Sequence, residues 1–286
     1  MIRIFKDNPN KQIIREIDKE YIIKEYQHHS KKLRYFGLPS EGFYDILQWN
    51  SYINEIVAVE RGSKSEPTSR QSLLMCNAFQ YGFHNRLLLL RGDINDIILN
   101  DKDDNDCKIP YPFELVNLDY GGSILYEDRI RTRAIKKLIQ MQKPCDFLLL
   151  ITSNVREFDE KELLDTQDRI KKDLSLNKKL ESEFTAYINW VNENKTIHRQ
   201  IIHLNYLLKY DAEIETYDIE CLPPIYYTGD TNSKLIHYIS KFRYQKNVST
   251  KVQSVQSFLD LLSLQIYEIK DNKLKTLKSF KDFQKI

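Results

Sequence analysis

The residues best suited to chemistry lie in one short stretch, 113–122, with the sequence FELVNLDYGG. Its apolar first half predicts a buried β-strand, which runs directly into Asp119, Tyr120 and two glycines. In α/β enzymes, polar side chains that follow a buried strand line the carboxyl edge of the sheet, where ligands bind. A carboxylate at the end of a buried strand also needs a partner, because burying an unpaired charge is costly. We therefore interpret Asp119 and Tyr120 as candidate catalytic residues.

Two other predicted strands also end in an acid. The run IVAV precedes Glu60, and the run LLLLRG precedes Asp93. A carboxylate at the position of Glu60 can accept two hydrogen bonds from a ribose diol, or it can pair with Arg61 or another nearby base. Asp93 can contact a ligand, or it can cap the helix predicted over 94–99. In a parallel sheet, both acids are expected at the same edge as Asp119.

The elements that must position these residues alternate between strands and helices. Hydrophobic patterns predict strands over 33–38, 55–60, 87–90, 113–119 and 146–152, and helices over 11–32, 42–52, 67–83 and 127–142. This alternation predicts a doubly wound, mainly parallel α/β sheet with helices on both faces. A helical stretch over 160–209 follows. The runs 213–221, 225–228 and 234–244 come next, and the last two predict a terminal antiparallel hairpin.

This succession of elements resembles the class I methyltransferases that depend on S-adenosylmethionine (SAM), over most of the chain. Five α/β units closed by an antiparallel pair are typical of that family. The resemblance implies a seven-stranded, mainly parallel methyltransferase-like sheet. We predict an N-terminal helical segment over 1–32, a methyltransferase-like domain over 33–245 with a helical insert over 160–209, and a basic C-terminal extension over 246–286. Within the extension, the spacing predicts a helix over 252–266.

The resemblance implies SAM as the cofactor and assigns a cofactor-binding role to four residues. In the family, the turn after the first strand lets the backbone approach SAM, and here that turn contains Gly37 and Pro39. The family's dense glycine pattern is absent here, so a plain strand-to-helix turn is the alternative interpretation. Glu60 matches the acid that binds the ribose. Asp93 matches the acid that accepts a hydrogen bond from the adenine amino group.

On the substrate side, Asp119 and Tyr120 occupy the position of the family's fourth-strand motif. They are similar to the Asp-x-Asp-Pro-Phe-Gly form of a group of tRNA guanine methyltransferases, with Asn117 in place of the first acid and without the proline. The resemblance implies that the carboxylate accepts a hydrogen bond from a target amine. It also implies that the aromatic ring stacks on a planar base.

Three further residues complete the predicted substrate side. Asn154 and Arg156 follow the fifth predicted strand, beside the fourth, and are expected to line the substrate entrance. Arg133 shares a helix face with Arg129 and Lys136, which suits either a phosphate-facing patch or a solvated surface. No histidine spacing suits a metal, so we predict no metal site.

Composition predicts an ordinary globular chain. It has 286 residues, of which 29% are charged and 41% hydrophobic. Its apolar runs are too short to span a membrane, and its polar beginning has no signal-peptide pattern. The four cysteines are widely spaced and read as reduced thiols. We therefore expect a cytoplasmic protein with no membrane partner.

Two functions compete at this point. From residue 234 onward the chain has 11 basic and 4 acidic residues with interleaved aromatics, a composition that suits nucleic-acid binding or a solvated lysine-rich edge. We predict SAM-dependent methyl transfer to nucleic acid, with RNA slightly preferred. The alternative is a catalytically inactive scaffold, or a nucleotide-sensing protein, with the same fold. Protein partners are not predicted.

Overall fold

The computed structural model describes residues 8–28, 32–61, 67–124, 129–155, 160–175, 177–194, 196–214, 217–229, 232–245 and 264–277. In these ranges the helices are α1 (Pro9–Tyr26), α2 (Tyr44–Trp49), α3 (Pro67–Gln80), α4 (Ile94–Asn100), α5 (Ile130–Met141), α6 (Glu160–Leu174), α7 (Lys178–Asn194) and α8 (Thr196–Ile214). The strands are β1 (Leu33–Gly37), β2 (Ile53–Glu60), β3 (Leu87–Arg91), β4 (Leu115–Asp119), β5 (Phe147–Asn154), β6 (Tyr217–Cys221), β7 (Ile225–Thr228), β8 (Lys234–Tyr244), β9 (Ile266–Lys270) and β10 (Lys273–Leu277).

The described strands form one sheet in the order β10-β9-β7-β8-β5-β4-β1-β2-β3, and β6 also pairs with β8. Strands β1 to β5 are parallel to one another, whereas β8 runs antiparallel to β5, β6 and β7. The predicted doubly wound sheet with terminal antiparallel pairing is therefore confirmed. The strand order reverses at β1, which has β2 on one side and β4 on the other. Such a reversal opens a crevice at the carboxyl ends of the strands.

The predicted count of seven strands is too low, because the described sheet has ten. Strands β1 to β5 with β7 and β8 form the expected sheet, and β6, β9 and β10 extend it. The β9–β10 hairpin turns at Asp271 and Asn272, whose φ angles of 55° and 58° are typical of tight two-residue hairpins. Most of the helix predicted over 252–266 lies outside the described residues, and Ile266 begins β9 instead.

Burial explains why the accessible polar side chains lie at one edge of the sheet. All residues of β4 before Asp119, and all residues of β5 before Asn154, are buried. Strands covered on both faces are apolar along most of their length. Half-buried side chains therefore reach the surface first at the carboxyl ends of these strands.

Helix α1 packs against the sheet through a face that is only partly apolar. Asn8 caps the helix by accepting from the N–H of Asn10, and its buried residues are Ile14, Arg15, Asp18, Ile22 and Tyr26. The Asn10 side chain donates to the Thr228 carbonyl at 2.9 Å, beside the end of β7. The first two turns of α1 thus lie at the carboxyl edge of the sheet.

The predicted division into three parts stays a prediction. Helix α1 packs on the sheet, and β9 pairs with β7, so both flanking segments contribute to the same core. Among the described residues, none of the helices combines the length and the apolar character needed to cross a bilayer.

Candidate active site

Asp119 ends β4 at the carboxyl edge and binds a side chain from α1. Lys11 Nζ donates to Asp119 Oδ2 at 2.7 Å, and the two side chains are 28% and 31% exposed. The Asp119 carboxylate raises the pKa of Lys11 above its usual value, against the opposing effect of burial. Lys11 is therefore positively charged at neutral pH. The carboxylate that was expected to bind a target amine already binds an ammonium group of its own chain.

A second ion pair joins α1 to α2, and Asn117 of β4 supports it. Arg15 Nε donates to Asp45 Oδ1, and Asn117 Nδ2 donates to Asp45 Oδ2 at 2.9 Å. Asn117 is buried, and its amide thus holds the acid that neutralises Arg15. The indole N–H of Trp49 also donates to the Arg15 carbonyl, which fixes α1 against α2.

A buried hydrogen-bond chain lies beside these pairs. His237 Nδ1 lies 2.9 Å from Thr152 Oγ1, and His237 Nε2 lies 2.8 Å from Asp18 Oδ1. Burial raises the pKa of Asp18, although His237 opposes that shift. Tyr227 of β7 lines the same region, and burial raises its pKa well above the usual value. Three side chains from α1, β5 and β8 therefore form one connected polar chain.

All three arrangements line the same small pocket. Its lining residues are Lys11, Ile14, Arg15, Asp18, Asp45, Asn117, Asp119, Thr152, Tyr227 and His237. It encloses about 20 Å³, enough for a water molecule or a hydroxyl group. Lys11 and Asp119 are both partly exposed, and they form the rim of the pocket. We call this feature the edge pocket.

Sequence reasoning placed Asp119 at this edge but missed most of its partners. The signals available were Arg15 and Asp18 on an otherwise apolar helix face, and His237 inside the strand predicted over 234–244. Each is an ordinary polar residue in isolation. Their partners lie far away along the chain, with 219 positions between Asp18 and His237, so local patterns do not reveal the pairing.

The predicted ribose-binding acid, Glu60, ends β2 and is half-buried. Glu41 follows β1, and burial raises the pKa of its carboxyl group. Arg70 lowers the pKa of Glu41, whereas the Glu60 carboxylate raises it. Glu41 and Glu60 are therefore close enough to repel each other. Arg61, the neighbour of Glu60 in the chain, has its Nη1 3.3 Å from Asp93 Oδ2.

Asp93 follows β3 and caps α4. Its Oδ1 accepts from the Asn95 N–H at 2.9 Å, which confirms the alternative prediction of a helix cap. Its Oδ2 faces Arg61. The adenine-binding role stays a prediction, and an adenine amino group would compete with Arg61 for Oδ2.

Gly37 ends β1 beside β4, and Pro39 follows it in a buried position. A Cβ atom added to Gly37 would lie 2.1 Å from the backbone carbonyl oxygen of Asn117. The glycine is thus explained by the close approach of two strands. Whether it also lets a ligand approach the backbone stays a prediction, as does the role of Pro39.

Tyr120 is packed in the core and is 4% exposed. Its hydroxyl donates to Asn95 Oδ1 at 3.2 Å, and the Arg131 guanidinium lies 5.0 Å from its ring centroid. Burial also raises its pKa. This geometry argues against the predicted stacking of Tyr120 on a base, because the ring is already enclosed.

Asn154 and Arg133 are not among the residues that line the edge pocket. Asn154 ends β5, and its carbonyl accepts from Gln200 Nε2 at 2.9 Å. Arg133 is exposed on α5, as either interpretation of that helix face requires. Arg156 lies outside the described residues. The substrate-binding roles of all three stay predictions.

Comparison with known proteins gives weak structural likeness and no sequence relative. No family model and no curated protein matches the chain. An O-methyltransferase from Bacillus cereus in complex with SAH is 11% identical, with 85% of this chain and 94% of that chain covered and a TM-score of 0.43. A precorrin-6y C5,15-methyltransferase from Geobacter metallireducens is 11% identical, with 86% of this chain and 93% of that chain covered and a TM-score of 0.41. The methyltransferase domain of bacterial CtHen1-C is 12% identical, with 83% of this chain and 100% of that chain covered and a TM-score of 0.43. The fold assignment therefore rests on the strand order described above.

Proposed function

We propose that this protein is a SAM-dependent methyltransferase. The supporting observation is the reversal of strand order at β1, with Glu60, Asp93 and Asp119 at the carboxyl ends of three parallel strands, β2, β3 and β4. Ligands of open α/β sheets bind outside the carboxyl ends of the strands at such a reversal. Glu60 and Asp93 offer carboxylate oxygens, which are the acceptors that a ribose diol and an adenine amino group require. The residues present therefore fit the adenosine part of SAM.

In this function SAM supplies an electrophilic methyl group, and the chain supplies positioning. Glu60 would hold the ribose and Asp93 the adenine, while the edge pocket would receive the acceptor group. Methyl transfer depends strongly on alignment of the reacting atoms, so residues that hold the two ligands contribute much of the rate. The ion pairs of Lys11 and Arg15 fix α1 beside this position.

Glu60→Gln is expected to weaken SAM binding by about 1.5–3 kcal/mol, the usual contribution of hydrogen bonds to a charged group. Isothermal titration calorimetry with SAM and with S-adenosylhomocysteine measures this loss. The matched control is Glu55→Gln, because Glu55 lies on the same strand but is exposed and paired with Arg34. An equal affinity of the folded Glu60→Gln variant and the wild type would remove Glu60 from the cofactor site.

The rival function, a catalytically inactive scaffold, is favoured by one specific observation. The edge pocket is small, and two cationic side chains of α1 already neutralise the carboxylates Asp119 and Asp45. The same calorimetry separates the two functions. Absence of SAM binding by the wild type would support the scaffold, whereas binding with micromolar affinity supports the methyltransferase.

The proposal that the substrate is a nucleic acid is supported by the exposed basic hairpin of β9 and β10. Lys241, in the predicted basic segment, is buried and lies 2.6 Å from Glu25 and 3.3 Å from Glu220. Arg243 pairs with the same Glu25 carboxylate. These two charges are thus neutralised within the protein. The exposed basic residues of the described hairpin are Lys270, Lys273 and Lys275.

Replacing Lys270, Lys273 and Lys275 together with glutamine is expected to reduce the salt dependence of RNA binding. Each phosphate contact contributes about 0.7 to the slope of log K against log salt for a single strand, so three lost contacts lower it by about 2. Fluorescence anisotropy with a single-stranded RNA over a salt series measures the slope. The control replaces Lys171 and Lys172, which are exposed on α6. An unchanged slope would leave the hairpin as a solvated edge.

A further inference from the structure

We infer that Thr152, His237 and Asp18 form a proton relay that deprotonates a hydroxyl acceptor, so that methyl transfer in the edge pocket goes to oxygen. This inference rests on the function proposed above and names the acceptor class of the same site. The three residues come from β5, β8 and α1 and converge in the edge pocket, although α1 and β8 are more than two hundred positions apart.

The hydrogen bonds assign the proton positions in the relay. His237 is 2% exposed and has Asp18 at 2.8 Å from Nε2 and Thr152 at 2.9 Å from Nδ1. In its ionised form, which the His237 ring and Arg15 favour against burial, the Asp18 carboxylate accepts only and fixes the tautomer with a proton on Nε2. Nδ1 then accepts from the Thr152 hydroxyl. His237 is thereby prepared to take a proton on the side of the pocket.

Thr152 is the member of the relay that an acceptor can reach. It lies on β5 directly opposite Asp119 in the parallel register, and it lines the edge pocket. Thr152 donates its one proton to His237, so the lone pairs of its oxygen can accept from an incoming hydroxyl, since a hydroxyl has one donor and two acceptor positions.

The donor character of Lys11 favours an oxygen acceptor over a nitrogen acceptor. Lys11 Nζ has three N–H donors, and Asp119 accepts from Nζ at the pocket rim. A deprotonated oxygen has lone pairs both for attack on the methyl group and for a hydrogen bond from Nζ. An amine nitrogen has a single lone pair, which attacks the methyl group, so it cannot also accept from Lys11.

The acceptor O–H bond breaks and its proton moves to Thr152 Oγ1, while the Thr152 proton moves to His237 Nδ1. The imidazolium that results is stabilised by Asp18. The electron pair released on the acceptor oxygen forms the O–CH₃ bond, and the pair of the breaking S–CH₃ bond returns to the sulfur of the methyl donor.

The first test needs no substrate. Long-range ¹⁵N–¹H NMR on the labelled full chain at neutral pH should show His237 as the neutral tautomer protonated at Nε2. Asp18→Asn can accept or donate at this position and should reduce the dominance of that tautomer. A His237 ring protonated at Nδ1 in the wild type would overturn the relay.

The second test uses two phenols that differ only in acidity. With labelled SAM, the wild type should methylate both phenol and 4-nitrophenol, and aniline more slowly than phenol. His237→Gln should lower kcat for phenol by about 10²-fold or more, the usual contribution of general acid–base catalysis. The loss for 4-nitrophenol at mildly alkaline pH should be much smaller, because an ionised acceptor needs no base. SAM affinity should change less than twofold.

His203→Gln is the matched control, because His203 is also buried and has Thr166 Oγ1 at 2.7 Å from Nδ1 but does not line the edge pocket. His203→Gln should change kcat for phenol and kcat for 4-nitrophenol by the same factor. Equal losses for both phenols in His237→Gln would make His237 structural and overturn the relay. Methylation of aniline in preference to phenol, or of neither with SAM bound, would overturn the hydroxyl acceptor. A wild type that does not bind SAM would instead refute the proposed function.

Discussion

Gly37→Ala is expected to remove most of the stability of the fold. The added Cβ would lie 2.1 Å from the carbonyl oxygen and 2.9 Å from the carbonyl carbon of Asn117, and both are backbone atoms of the central strand β4. Relief requires β1 and β4 to separate, so the penalty should exceed the usual 1–3 kcal/mol of core overpacking. We expect a loss of about 4 kcal/mol or more, measured by urea denaturation.

Gly121→Ala is the matched control, since nothing lies within 4 Å of a Cβ at that position. It should change the free energy of unfolding by no more than about 0.5 kcal/mol, as surface substitutions usually do. If Gly37→Ala has the stability of the wild type but no longer binds SAM, the glycine serves ligand approach rather than strand packing. That result would restore the role that the resemblance implied.

The central sheet could be predicted because its signals are local. Continuous apolar runs such as those of β4 and β5 require burial on both faces, and alternation with helices then fixes parallel pairing. The run 213–221 was identified and contains β6, whereas β9 and β10 were missed for a physical reason. In β10, alternate lysines and leucines are mostly exposed, so the hydrophobic pattern that identifies a strand is weak there. Pairing with β9 stabilises it instead.

The site was predictable only in part, because its groups come together through tertiary packing. Asp119 was found since it ends a buried strand, and a charge in that place requires a partner. The partner, Lys11, is one of many lysines in the sequence and has no local distinguishing feature. The same holds for Asp18 and His237, which form a buried pair at 2.8 Å. Such pairs become visible only when α1 is placed against β8.

Asp119→Asn is expected to reduce methyl transfer by about 10²-fold or more, the scale on which a misplaced reacting group slows an enzyme. The substitution keeps the shape of the side chain but removes the charge that holds Lys11 at the pocket rim. SAM affinity should stay nearly unchanged, because the cofactor acids follow β2 and β3. Stability should fall by no more than about 1 kcal/mol, since the pair is partly exposed. Single-turnover assays, calorimetry and thermal denaturation measure the three quantities.

The Lys11→Gln substitution distinguishes between two roles of the Asp119 carboxylate. If Asp119 accepts a hydrogen bond from a target amine, as the sequence resemblance implied, removal of Lys11 frees the carboxylate and the rate with an amine acceptor should rise. If Asp119 instead positions Lys11 beside an acceptor oxygen, Lys11→Gln should be about as slow as Asp119→Asn. The double variant should then be no slower than either single one, because residues that act as a unit are not additive. Full activity of folded Asp119→Asn would make Asp119 a structural acid whose function is to anchor α1 at the edge of the sheet.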